Sequence, residues 1–301
     1  MMSSAVNDNQ PIYYYRASWL QLLRPMTLTG TVTPILAGTG IAAANGTIQP
    51  DLFLAMLAAA LLVQSATNLF NDYYDFLHGQ DKPKWTTDIV HAKGPSHHAV
   101  LYIGVAMLVI AMSIGGWLAT QSTWWILPVG MAGILFGYLY SAGPRPLCSI
   151  GLGETVAFTF LGPVVTILSY VVQGNRMDVP IIAISLPFAW LIASMILTNN
   201  IRDIEKDGPF RRTLATILGR ARAVRLLMVV LVLPYVTVII LMTAGFLPVS
   251  STIVLCATPL AIKLLWSFRS HAERTDERSG MKWAAWHHWA FGLLMVIGIW
   301  V

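Results

Sequence analysis

Residues 51–75 read DLFLAMLAAALLVQSATNLFNDYYD: a long apolar run that closes on Asn68, Asn71, Asp72 and Asp75. About 20 apolar residues cross the roughly 30 Å hydrocarbon core of a bilayer as a helix. In lipid every backbone amide needs an internal partner, which an apolar run of this length finds only as a helix. The reading is a membrane-spanning helix with an acidic end.

The rest of the chain repeats the pattern. Nine apolar stretches lie at 18–44, 51–75, 98–119, 123–141, 150–174, 179–201, 222–246, 249–268 and 283–301. Turn residues such as Asn45-Gly46 and Gly174-Asn175 separate several of them. Hydrophobic residues make up 56% of the chain and charged residues 11%, against about 25% charged in soluble domains. The expected fold is all-α and polytopic, nine transmembrane helices enclosing a central chamber, in one domain over residues 1–301.

The net charge of +5 raises nucleic acid as a partner, and the placement of the charge excludes it. With a cytoplasmic N-terminus, every Lys and Arg except Arg176 falls in or beside an inner segment. The chain is therefore expected in the cell membrane, with its N-terminus inside and, after nine spans, its C-terminus outside. Residues 1–17 lack the basic region, short apolar core and cleavage site of a secretory signal. Cys148 and Cys256 form no metal or redox spacing.

The carboxylates are placed as unevenly as the bases. A second acidic end, N199-N-I-R-D-I-E-K-D207, closes the sixth stretch. At the helical period Asn68, Asp72 and Asp75 share one face, and Asn199, Asp203 and Asp207 share another. Both clusters sit at helix C-termini, where the macrodipole is already negative, beside a slab in which ionisable groups are costly and mark function. Helix capping and loop solvation explain one such cluster; two of the same composition on the same side point to a site. Oxygen donors alone, Asn and Asp, suit a hard cation such as magnesium, which completes its shell with substrate phosphates. Lys82, Lys84 and Lys93 follow the first cluster, and Lys206, Arg211 and Arg212 the second. Interleaved acids and bases of this kind match a magnesium–diphosphate group, with Arg able to grip phosphate at two points.

Four stretches carry a resemblance: R24-P-M-T-L, N68-L-F-N-D-Y-Y-D-F-L-H-G-Q-D81, Y140-S-A-G-P-R-P-L-C-S-I-G-L-G-E154 and N199-N-I-R-D-I-E-K-D-G-P-F-R-R-T-L-A-T-I-L-G-R220. Over essentially its whole length the chain resembles the UbiA-type intramembrane aromatic prenyltransferases. Within them it most resembles the branch that uses 1,4-dihydroxy-2-naphthoate in menaquinone synthesis. Three departures stand out: the third acid of the first motif falls at Asp81, with Gly79 four residues after Asp75; the stretch 84–97 does not follow the expected Arg- and Gly-containing loop; and the second motif continues G-P-F-R-R-T rather than G-K-R-T, keeping its basic pair.

The resemblance implies transfer of a polyprenyl group from its diphosphate to an aromatic acceptor within the membrane lipid, with Mg2+ as cofactor. On the naphthoate branch it implies loss of carbon dioxide and a demethylmenaquinol product. Asp72, Asp75, Asp203 and Asp207 are then the catalytic, metal-holding residues, assisted by Asn68 and by Asn199 or Asn200. Lys82, Lys206, Arg211 and Arg212 would hold diphosphate. Tyr74, Tyr138, Tyr140 and Phe158 would face the allylic cation through cation–π contact, and Arg24 or Arg145 would hold the acceptor's carboxylate or a phosphate oxygen. Other readings are a different acceptor, such as 4-hydroxybenzoate or homogentisate, and a cation-coupled transporter. Transporters place their sites near the midplane on broken helices, whereas these acids gather at one face. Glu154 reads as an acid at a helix N-terminus, and His97-His98 and His287-His288 as interfacial pairs.

Overall fold

Backbone amides that cannot reach water fold into helices, and most of the described residues do so. The structure, a computed structural model, describes residues 11–301; the expectations for the N-terminus itself lie outside the described residues. Helices α1 (Trp19–Leu23), α2 (Thr29–Asn45), α3 (Pro50–Leu77), α4 (His97–Gln121), α5 (Ile126–Leu139), α6 (Gly153–Thr159), α7 (Val165–Val172) and α8 (Val179–Arg202) build the first part. Then come α9 (Ile204–Asp207), α10 (Leu214–Leu218), α11 (Arg220–Thr243), α12 (Thr258–Trp266) and α13 (Arg274–Trp300). Strands β1 (Tyr14–Tyr15) and β2 (Trp85–Thr86) pair antiparallel as a short ribbon.

Among the described residues six helical segments are long and apolar enough to cross a bilayer, or seven if the bent pair Trp19–Thr27 and Thr29–Asn45 is one span. This is fewer than the nine expected, although each apolar stretch falls on helix. Two differences have plain causes. Helix α5 has 14 residues, about 21 Å at 1.5 Å per residue, short of the hydrocarbon core. Helix α13 opens on Arg274, Asp276, Glu277 and Arg278, so only its later turns are apolar.

The first apolar stretch breaks by 45° because Pro25 follows Arg24. A residue before proline is pushed out of the right-handed helical region, and Arg24 sits at φ 51°. Within Gly153–Val172, Phe160–Val164 forms a π-helical turn around Pro163, whose missing amide proton relaxes the ladder.

Helix α8 is the inner helix: 72% of its apolar window is buried, against 17% for α4. It packs on α11, α6 and α13, while α3 packs along α4. Close approaches use glycine. A Cβ on Gly38 of α2 would lie 2.3 Å from the Thr166 carbonyl oxygen of α7, and one on Gly162 would lie 2.6 Å from Ala189 Cα of α8. His287 and His288 are not interfacial as the sequence suggested. Both are fully buried, because α13 begins well before them; Tyr235 Oη lies 2.9 Å from His287 Nε2 and Thr29 Oγ1 2.8 Å from His288 Nδ1.

Gly38→Ala should therefore lower stability by about 1–3 kcal/mol through overpacking. Gly46→Ala should not, since a Cβ there meets nothing within 4 Å. Unfolding temperatures of the two purified variants in detergent check this, and equal temperatures would refute the close α2–α7 packing.

Candidate active site

The segments that follow α3 and α8 come together at one end of a shared cavity. Asp72, 1% exposed, is held on both oxygens: Arg24 Nη2 donates to Oδ2 and Lys84 Nζ to Oδ1, each at 3.0 Å. Arg24 also donates to Asn71 Oδ1 at 2.9 Å, and Asn71 Nδ2 donates to Ser141 Oγ at 3.1 Å. Asp203 accepts from Arg202 Nε at 2.9 Å, with Arg274 3.8 Å away. Arg202 also donates to Asn199 Oδ1 at 2.6 Å. Asn200 turns away from this row and donates to Glu154 Oε1 at 2.7 Å.

Three links tie the first acidic end to the second. Lys206 Nζ donates to Asp81 Oδ1 at 2.6 Å, and Lys84 reaches the other Asp81 oxygen at 2.6 Å. Gln80 Nε2 donates to Asp207 Oδ1 at 2.6 Å. Arg211 donates to Asp75 Oδ2 at 2.9 Å and to Gln80 Oε1 at 2.8 Å.

These pairings set the charge states. Burial raises the Asp81 carboxyl, but Lys84 and Lys206 outweigh it and hold the group below its ordinary value. Asp203 is likewise lowered against burial, by Arg202. Asp207 goes the other way and is pushed up to about 6, chiefly by burial. Its Arg211 contact is long, at 3.8 Å, and the Asp203 and Asp75 charges oppose its ionisation. Lys84 is raised, because Asp72 and Asp81 outweigh the cost of burying it.

All of these groups face one cavity of about 790 Å³, within the range of about 300–1,000 Å³ typical of small-molecule sites. Its polar end carries seven Lys and Arg side chains against five Asp, so it is net positive even with every carboxylate ionised. Beyond Val63 the lining of α3 is Ala60, Ala59 and Met56, and the facing walls from α4 and α5 are apolar throughout. The shape is that of a charged head pocket with an apolar arm.

Of the residues expected from sequence, Asn68, Asp72, Asp75, Asp203, Asp207, Lys206, Arg211, Arg24, Tyr140, Asn199 and Asn200 line this cavity. Lys82, Arg212, Arg145, Tyr74, Tyr138 and Phe158 do not. Lys82, Arg212 and Arg145 are exposed. Tyr74 and Tyr138 bond each other at 2.7 Å away from the cavity, and Phe158 packs on Trp190 while Phe160 lines the wall. Lys84 takes the place expected of Lys82, and Asp81, Gln80, Arg202 and Arg274 complete the polar end.

The unusual 84–97 stretch is a fastening. Arg16 N donates to the Lys84 carbonyl and Tyr15 N to the Pro95 carbonyl, both at 2.9 Å. Tyr15 and Trp85 pack edge to face, with centroids 5.1 Å apart. The ribbon fixes the backbone of Lys84 above Asp72 and Asp81.

The donor set fits magnesium. Asp72, Asp75, Asp203, Asp207 and Asn68 offer oxygen only. Magnesium binds through one or two carboxylates and completes its shell with water and phosphate; among the described residues no three His, Cys, Asp or Glu form a ready metal cage.

The fold and this site define a helical membrane protein with a charged pocket that opens into an apolar arm. The sequence model of the UbiA prenyltransferase family matches residues 31–291, and the chain belongs to that family. It is 34% identical over 282 residues to the 1,4-dihydroxy-2-naphthoate octaprenyltransferase of Bacillus subtilis, covering 93% of this chain and 91% of that one. To the protein of the same name from Mycobacterium leprae it is 32% identical, covering 84% and 86%. Its fold is similar to a UbiA homologue from Archaeoglobus fulgidus bound to DMAPP and Mg2+, with TM-score 0.57 and 14% identity over 93% of this chain and 99% of that one.

Asp81→Asn should lower stability at neutral pH. A carboxyl whose value is depressed by folding stabilises above its unfolded value, here 3.8, and loses that contribution as pH falls through the folded value. The gap between wild type and Asp81→Asn should thus close on acidification below that point. Unfolding temperatures against pH measure it; a constant gap would mean that Asp81 does not act through its charge.

Proposed function

We propose that the protein transfers a polyprenyl group from polyprenyl diphosphate to 1,4-dihydroxy-2-naphthoate with loss of carbon dioxide, giving demethylmenaquinol. The observation that carries this is the single cavity with a net-positive, carboxylate-bearing head and an apolar arm. It matches the two halves of a prenyl diphosphate, and the naphthoate acceptor is the one named in the relatives at 32–34% identity. The nine helical segments all cross or line the membrane in this reading, as one catalytic domain with the N-terminus cytoplasmic and the C-terminus outside. The positive-inside distribution of Lys and Arg supports that orientation.

Asp72, Asp75, Asp203 and Asp207, with Asn68, would hold magnesium, which supplies positive charge to the departing diphosphate. Lys84, Lys206 and Arg211 exchange carboxylate partners for phosphate oxygens as the head group enters. The bond between prenyl C1 and the diphosphate oxygen breaks, and its electron pair leaves with diphosphate. Tyr140 and Phe160 present π faces to the allylic cation, and the apolar wall keeps out water that would quench it. The naphthoate ring carbon bearing the carboxylate attacks C1. Carbon dioxide then departs from that carbon and leaves its bonding pair to restore the ring, so no proton acceptor is needed for this step. Arg24 positions the acceptor's carboxylate or a phosphate oxygen.

The test incubates purified protein in detergent with magnesium, a polyprenyl diphosphate and either 1,4-dihydroxy-2-naphthoate or 4-hydroxybenzoate, with product read by mass spectrometry. A decarboxylated prenyl-naphthoquinol that disappears with chelator is expected. Product from hydroxybenzoate alone would move the enzyme to another acceptor. Asp72→Ala and Asp203→Ala should each lower turnover by at least about 100-fold while the protein stays folded; undiminished turnover in either would remove it from the site.

A further inference from the structure

Glu154 is a buried acid that the mechanism above leaves unused. It lies in the first turn of α6 but does not turn to water, as an acid there is free to do. Only 7% of it is exposed, and its Oε2 is buried without a hydrogen-bond partner. Its Oε1 accepts from Asn200 Nδ2 of α8 at 2.7 Å. A buried carboxyl satisfied on one oxygen alone is costly, and such a group calls for an explanation.

The bond settles the Asn200 amide. A carboxylate only accepts, whereas an amide both donates and accepts, so Asn200 turns its nitrogen to Glu154. Its oxygen has no partner among the described residues and is not shut in; since Asn200 lines the cavity, the oxygen opens there. The other Asn side chains of the head pocket are engaged elsewhere. Asn71 is bonded at both ends, to Arg24 and Ser141, Asn199 gives its oxygen to Arg202, and Asn68 stands in the row of Asp72. Asn200 lies one residue, about 100°, round α8 from the row of Asn199, Asp203 and Asp207. It is also three residues, about 4.5 Å, from Asp203 toward the apolar arm. A ring has to lie at this depth to reach C1 of a prenyl group whose diphosphate fills the head pocket. Tyr140 borders the same place: a Cβ on Gly153, next to Glu154, would lie 3.3 Å from its hydroxyl oxygen.

We infer that Glu154 is a positioning residue for acceptor recognition: by holding the Asn200 nitrogen it presents Asn200 Oδ1 to a hydroxyl of the aromatic acceptor. The inference rests on the hydroxylated ring of the function proposed above and not on its turnover.

The test uses the full-length protein in detergent with magnesium and a prenyl S-thiolodiphosphate, which blocks transfer. Affinity for 1,4-dihydroxy-2-naphthoate and for 2-naphthoate, which lacks both hydroxyls, is read from the ligand-dependent shift in unfolding temperature. The wild type should favour the dihydroxy compound by about tenfold. Glu154→Leu and Asn200→Leu should lose most of that preference. Glu154→Gln, whose carbonyl still accepts from Asn200, should keep it. The shift given by the thiolodiphosphate alone should be that of the wild type in all three variants. A wild type without the preference, or a preference unchanged in Glu154→Leu or lost as fully in Glu154→Gln, would overturn the inference. A thiolodiphosphate shift that falls along with the preference would also overturn it, because Glu154 would then act on the head pocket. A preference that follows the variants, in a protein that makes no product from naphthoate, would uphold the inference and overturn the proposed reaction alone. Product from naphthoate with a preference that no variant moves would do the reverse.

Discussion

Five Asp side chains gathered at two helix C-termini, against a hydrocarbon slab, form the constraint on which the arrangement depends. Each buried carboxylate is costly unless paired and hydrogen-bonded, and the helix macrodipole adds to the cost. The chain answers with bases drawn from separate segments: Arg24 from the break before α2, Lys84 from the ribbon, Arg202 and Lys206 from either side of Asp203, Arg211 from the following turn and Arg274 from the start of α13. The loops on this side of the bundle lie where they do because their bases are needed there. Such buried pairs add little net stability, yet removing one partner exposes the full cost of the other. They therefore fix position more than they add strength.

In the proposed function, that lattice would receive an anionic head group without rebuilding the pocket. Six of the seven bases at the polar end already point at an oxygen anion, and phosphate oxygens present the same chemistry. A diphosphate that brings its own magnesium offers the bases new acceptors and the carboxylates a cation in one event. Asp207 is held up at about 6, chiefly by burial and then by the nearby Asp203 and Asp75 charges, so an arriving cation would favour its ionised form. Midplane sites on broken helices, as transporters use, would not give this separation of a charged head from an apolar arm.

Much of this was legible in the sequence, and the misses have physical reasons. The two acidic ends could be read because the helical period and the absence of nearby water leave little else for Asn68, Asp72, Asp75, Asp203 and Asp207 to do. Tyr74 and Tyr138 could have been excluded by the same period: each stands two residues, or about 200°, from Asp72 and Tyr140 respectively, and so faces away. Lys84 could not be chosen over Lys82 from sequence. The short 3-10 turn Lys82–Lys84 and the pairing of β2 with β1 decide which of the two points inward, and that pairing is a contact between residues far apart in the chain. The burial of His287 and His288 was missed for a related reason, since a charged first turn hid how early α13 begins.

Arg24 joins the constraint to the backbone. It is the one non-glycine residue at positive φ among the described residues, a conformation that costs on the order of 1–3 kcal/mol and persists only when its surroundings enforce it. Pro25 bars the right-handed helix at this point. The Asn71 and Asp72 side chains, by taking the Arg24 guanidinium, select the left-handed turn over the extended one. Asn68 adds a further tie by donating to the Leu23 carbonyl at 3.0 Å. The break in the first apolar stretch is thus held by the same residues that form the first acidic end. Relieving the turn would withdraw the base from Asp72, the most deeply buried carboxylate of the five. Strain and charge are balanced at one residue, where the head of the substrate would have to enter.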